Sequence, residues 1–106
     1  MPELTDSSAQ NAFYIFARFH AQSGNEAAVA ASIREVLAPT RNEAGCIKAH
    51  GFRSVRDARL YYIHSRWRDG AAFEFHRTLP HTLRFIERVT TLIDHELDVA
   101  RTLLLD

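Results

Sequence analysis

The octapeptide FYIFARFH, residues 13–20, narrows the possible folds more than any other segment. Its aromatic and β-branched content predicts a strand. Side chains alternate along a strand, so Phe13, Ile15, Ala17 and Phe19 share one face and Tyr14, Phe16, Arg18 and His20 the other. Both faces are largely apolar, and each therefore needs a cover. In a chain of 106 residues, one domain with one compact core is expected.

The remaining pattern supplies the cover for one face. Gly24 provides a bend and Asn25 a helix start, after which Val29, Ile33, Val36 and Leu37 recur at helical spacing. Pro39 is expected to disrupt the last turn of this helix, and Gly45 to end the connection. CIKAHGFRS (46–54) reads as a weaker strand loosened by Gly51, RLYYIHSRW (59–67) as a strong one, and the short link VRDA joins them as a hairpin. A turn centred near Asp57 pairs Phe52 with Tyr62 and His50 with His64. On the opposite face it pairs Gly51 with Ile63 and Ile47 with Trp67. Asp69 is a plausible N-cap for a helix carrying Phe73 and His76, and Pro80 breaks that helix. Leu83, Ile86, Val89 and Ile93 then follow at helical spacing, and a last strand, HELDVARTLLL, aligns Leu97, Val99, Leu103 and Leu105.

The order β-α-β-β-α-β is the ferredoxin-like split βαβ pattern, an α+β sandwich in which a four-stranded antiparallel sheet carries its helices on one face. A single domain over 13–106 is expected, preceded by a polar, flexible tail over 1–12. The helices leave Tyr14, Phe16, Phe52 and Tyr62 on the open sheet face. An apolar patch of that kind calls for a partner, and a second copy of the chain packed sheet to sheet makes a homodimer.

Composition excludes several classes. Acidic and basic residues balance at 13 each, so there is no basic excess for nucleic acid. No run approaches the ~18 apolar residues of a membrane span. The single Cys46 allows no internal disulfide and, with no apolar leader in 1–12, points to the cytoplasm. Dinucleotide, Walker, HExxH and GxSxG motifs are all missing from the sequence.

The candidate chemistry lies in SRWRDGAAFEFHRTLPH, residues 65–81. With the hairpin register above, Ile63, Ser65 and Trp67 point to one face beside Ala17, Ala49 and Gly51, whose small side chains leave room. Phe73 and His76 on the next helix can close that space. Trp67 and Phe73 can stack on a flat ring, and His76 can accept a phenolic proton. The candidates for substrate binding are Trp67, Phe73, Ile63, Ser65 and His81, with His76 catalytic. Each also has a structural reading: Trp67 and Phe73 as core, His76 as a hydrogen-bonding helix residue, His81 as a contact at a helix start. His50 opposite His64 suggests zinc, but no third donor falls on that face, so packing is the simpler account and no metal is expected.

Two stretches carry a family resemblance. ARFHAQSGNEAAVAASIREVLAPTRNEAGCI resembles the first half of the antibiotic biosynthesis monooxygenase family, and SRWRDGAAFEFHRTLPH resembles its second signature. The resemblance covers roughly residues 13–105. It implies a ferredoxin-like protomer that pairs into a dimeric α/β barrel, with a pocket between the sheet and the helices. It also implies oxidation of aromatic phenols or quinols by O₂, often without metal or flavin, because an electron-rich phenolate can itself react with oxygen. Many members carry a Glu two residues before the Trp, where this chain has Ser65. An Asn that some aromatic-oxidising members place on this strand corresponds to Ile63. The Asn of a haem-degrading branch corresponds to Ala17, so haem degradation is not expected. The expectation is a small cofactor-independent monooxygenase for a quinol-like or phenolic aromatic molecule. The alternative is a non-enzymatic dimeric module that binds a small apolar ligand.

Overall fold

The computed structural model describes residues 13–106. The stretch 1–12, expected to be a flexible tail, lies outside the described residues. The elements are β1 (Phe13–His20), α1 (Glu26–Arg41), β2 (Cys46–Arg53), β3 (Leu60–Trp67), α2 (Gly70–His76), α3 (Pro80–Val89) and β4 (Asp98–Leu103). The strands form one antiparallel sheet in the order β2-β3-β1-β4. This is the expected ferredoxin-like α+β fold.

β1 lies inside the sheet, with Ile15, Ala17 and Phe19 buried on the helix-covered face and Phe16 exposed on the open one. Ala17, Phe19, Val29, Ile33, Leu37, Ala49, Tyr61 and Val89 form the main core between the sheet and the helices. Helix α1 crosses β2 closely at Gly51, where an added Cβ would lie 2.7 Å from the Ile33 side chain. Gly24, at φ 95°, makes the bend before α1, in the left-handed region that favours glycine.

The hairpin register places His50 opposite His64, Gly51 opposite Ile63 and Phe52 opposite Tyr62. Ile47 does not pair with Trp67. A bulge between Cys46 and Lys48 puts Cys46 opposite Trp67 and leaves Ile47 half exposed. Pro39 does not disrupt α1, which runs on to Arg41. The missing N–H deprives only the carbonyl of solvent-facing Glu35, and Thr40 Oγ1 donates to the Val36 carbonyl at 2.7 Å in the same turn. Leu83 is 55% exposed, the buried side of α3 being Thr82, Phe85 and Val89. Ile93 lies beyond the helix, bridged to Ala21. β4 is an edge strand, and in the single chain Val99, Leu103 and Leu105 stay exposed.

A polar clasp fastens the segment before β4 to the end of β1. His20 Nδ1 lies 2.6 Å from Asp94 and its Nε2 3.1 Å from Asp57, while His95 Nδ1 lies 2.7 Å from Asp94. Hydrogen bonds from His20 and His95 hold the Asp94 carboxyl at about 2, below its ordinary 3.8. A depressed carboxyl favours the folded state above its unfolded value, and this contribution is lost as pH falls from 3.8 towards about 2. Asp94→Asn is therefore expected to lower the thermal midpoint above that window and to bring variant and wild type together below it. Melting curves followed by circular dichroism across the window check this. A constant difference at every pH would remove Asp94 as the titrating group.

Candidate functional site

Ser65 and Trp67 are two apart on β3, so both point to the helix-covered face. Trp67 is 1% exposed, and its Nε1–H donates to Ser65 Oγ at 2.9 Å. The Asp69 carboxylate accepts from the Ala72 N–H at 2.9 Å and so starts α2, as expected of an N-cap. One turn on, Phe73 meets Trp67 edge to face, with ring centroids 5.7 Å apart. The His76 ring lies 4.6 Å from the Trp67 ring and 5.7 Å from that of Phe73.

The loop between α1 and β2 comes in tightly against α2. A Cβ on Gly45 would meet the Ala72 Cβ at 2.3 Å, so only glycine allows this approach. The loop thereby delivers Glu43. Its Oε2 lies 2.7 Å from His76 Nδ1 and 2.7 Å from His81 Nε2. The Glu43 side chain is 8% exposed, and its other oxygen, Oε1, has no hydrogen-bond partner. Pro80 at the first position of α3 sets His81 in the opening turn, and Thr82 Oγ1 lies 3.3 Å from His76 Nδ1. Burial pushes the His76 imidazole below its ordinary 6.5, with Glu43 pulling part of the way back. Neutral His76 therefore donates Nδ1–H to the carboxylate and keeps Nε2 as an acceptor.

A cavity of about 660 Å³ opens between the sheet and helices α2 and α3. Five of the residues singled out in the sequence, Ile63, Ser65, Trp67, Phe73 and His76, share its wall. Leu83, Ile86, Leu97 and Val99 also line it. Ile86 and Leu97 also pack against the main core, whereas Leu83 and Val99 stay exposed at the cavity. His81 does not reach this cavity. It lines a smaller recess with Ser32, Pro39 and Arg84, behind His76.

Glu43 is absent from the sequence-based candidates, because a Glu in a loop between Asn42 and Ala44 reads as a solvated charge. It also corrects the ground for expecting no metal. Glu43, His76 and His81 present three donor atoms within 4.8 Å of one another, as do His20, Asp94 and His95. The 2.7 Å separations around Glu43 Oε2 are hydrogen-bond lengths. Donors on a tetrahedral zinc stand about 3.3 Å apart, so these groups satisfy one another as they lie. His50 and His64 face each other across β2 and β3, as expected, and belong to neither set.

Among the described residues, no helix is long and apolar enough to cross a membrane. The chain is similar to Rv0793 from Mycobacterium tuberculosis, with a TM-score of 0.85 and 26% identity over 90% of this chain and 96% of that one. It is similar to PA3566 from Pseudomonas aeruginosa, with a TM-score of 0.83 and 29% identity over 91% of this chain and 96% of that one. A solved antibiotic biosynthesis monooxygenase shares the fold, with a TM-score of 0.83 and 19% identity over 89% of this chain and 99% of that one. None of the curated proteins matches the sequence. The profile for antibiotic biosynthesis monooxygenase matches residues 12–88, which takes in β1, the Glu43 loop, Trp67, His76 and His81. The chain belongs to the antibiotic biosynthesis monooxygenase family.

Proposed function

We propose that this protein is a small cofactor-independent monooxygenase that oxidises a quinol-like or phenolic aromatic molecule with O₂. It works as a homodimer closed through Tyr14, Phe16, Phe52 and Tyr62, in the reducing cytoplasm that the lone Cys46 suggests. The family supports monooxygenase-type chemistry. The observation that carries the reading is His76, a half-buried imidazole held by Glu43 on the wall of an apolar cavity edged by Trp67 and Phe73. The cavity volume, about 660 Å³, suits one aromatic ligand.

In this reading a phenolic O–H gives its proton to His76 Nε2 and its electron pair stays on oxygen. The resulting phenolate is rich enough in electrons to reduce O₂ directly. Quinol plus O₂ yields hydroxyquinone plus water, which balances with no outside reductant. Trp67 and Phe73 hold the ring and exclude water, and Glu43 stabilises the imidazolium.

Oxygen uptake with a panel of hydroquinones tests the reading. His76→Ala should lower turnover ~10²-fold or more, the usual scale for losing a general base. Its stability should change far less than that of a core deletion. Wild-type dimer that consumes no oxygen with any hydroquinone would sink the proposal. One observation favours a second reading, a non-enzymatic dimeric module that binds a small apolar ligand: Ser65 Oγ is committed to Trp67 Nε1–H and brings no acidic group to the cavity. Saturable hydroquinone binding without oxygen uptake would establish that reading instead.

A further inference from the structure

His76 and His81 face different spaces yet share one carboxylate oxygen. His76 lines the large cavity, His81 lines the recess behind it, and Glu43 is on the wall of neither. We infer that Glu43 and His81 form the outer half of a two-ended proton exchanger: a proton taken up by His76 from a cavity ligand is matched by one that His81 releases into the recess. The inference rests on His76 being the proton acceptor.

The charge balance of the buried group carries the argument. A carboxylate that is 8% exposed is costly without a positive partner. Two imidazolium rings on one oxygen would leave an excess positive charge and repel each other. The favoured state therefore holds one proton between two imidazoles, and the occupant of the cavity decides which ring carries it. With the cavity empty, His81 is the imidazolium and His76 is neutral. When a phenol ionises in the cavity, its O–H bond breaks and His76 Nε2 gains the proton. His81 then loses its Nδ1 proton to water in the recess and keeps Nε2–H on Glu43. The charge of the three groups is the same before and after. The proton also leaves by a route that the ligand does not block.

The charged neighbours leave this balance intact. His76 is faced by Glu43 from the α1–β2 loop and by His81 from α3, while Arg77 just after α2, Glu87 of α3 and Arg101 of β4 also line the cavity. His81 shares its recess with Glu35 of α1 and with Arg84, Glu87 and Arg88 of α3, two acids and two bases.

The probe is 2-naphthol under nitrogen, a phenol whose absorbance reports ionisation and which is not a quinol. Imidazole ¹⁵N shifts are recorded at neutral pH with and without it. The expected result is His81 charged and His76 neutral in the free protein, with the two exchanged when 2-naphthol is bound. In His81→Gln, whose amide can still donate to Glu43, His76 is the one positive partner left for the carboxylate, so its imidazole should be charged both with and without 2-naphthol. If His81 keeps its charge while 2-naphthol ionises in wild type, or if His76 of free His81→Gln is neutral, the exchanger is wrong and His76 remains the acceptor. If wild type binds 2-naphthol without ionising it, the acceptor reading falls and the exchanger falls with it. One equivalent of zinc retained by wild type and lost in Glu43→Gln would also overturn the exchanger, since the three groups would then be metal ligands.

Discussion

Phe16→Asp is expected to convert a dimer into monomers or aggregates. Wild-type protein at micromolar concentration should sediment at about twice the chain mass of 12.1 kDa. The open sheet face supplies the reason. Phe16 and Phe52 are 49% and 52% exposed, and Tyr62 adds a third ring. Register links them across three strands, Phe16 opposite His64 and Phe52 opposite Tyr62. The His64 ring is 4.8 Å from Phe16 and 6.1 Å from Tyr14, so the patch is continuous. Burial already holds the His64 imidazole below its ordinary 6.5, with Lys48 and His50 adding to the effect. An Asp at the centre of such an interface would be an unpaired buried charge. Losing a central aromatic anchor costs about 2–4 kcal/mol in comparable interfaces, or roughly 30- to 1000-fold in affinity. Sedimentation equilibrium of wild type and variant reads this directly. A stable wild-type monomer at that concentration would refute the dimer. An unchanged dimer in Phe16→Asp would place the interface elsewhere.

The parts of the fold legible in the sequence are those fixed by local rules. Period two along β1 assigns its faces, and a short link ties β2 to β3, so the pairings of His50 with His64 and Phe52 with Tyr62 follow from the chain alone. The same local rules fail at Ile47, where one extra residue flips a side chain, and at Pro39, where the lost hydrogen bond belongs to the carbonyl of an exposed residue, Glu35. Five cavity residues were legible because strand alternation and one helical turn bring them together. Periodicity marks an apolar face but not whether that face is filled, so the spacing of Leu83 and the alignment of Val99 do not reveal that both line a cavity. Glu43 was hidden for a different reason. It is 33 residues from His76 and 38 from His81, and the contact depends on the tight approach at Gly45. No pattern along the chain encodes such a meeting.

Trp67→Ala is expected to destabilise the fold by ~3–5 kcal/mol, the usual range for deleting a buried Trp. Trp67 packs with Ile15, Ala72 and Phe73 in a second apolar cluster, apart from the main core. Truncation would enlarge a space already present and leave Ser65 Oγ without its donor. Loss of activity in that variant would therefore say little about ligand contact. Trp67→Phe separates the two roles. It keeps an aromatic face beside Phe73 and His76 and removes only the indole width and the Nε1–H. Losing that hydrogen bond and part of the ring should cost about 1–3 kcal/mol. Urea unfolding measures the stability of both variants, and hydroquinone titration of Trp67→Phe measures affinity in protein that is still folded. If Trp67 is only core, stability falls in both variants while Trp67→Phe binds as wild type does. If Trp67 is also the wall on which the ligand ring stacks, affinity in Trp67→Phe falls severalfold, because base–aromatic and ring–ring contacts scale with overlapping area. The 4.6 Å separation of the Trp67 and His76 rings adds a further consequence. A smaller ring at 67 loosens one side of His76 while Glu43 still holds Nδ1, so the imidazole keeps its tautomer but loses its fixed aim. Turnover should then fall more steeply than affinity in Trp67→Phe, and a parallel fall in both would show that Trp67 holds the ligand without positioning His76.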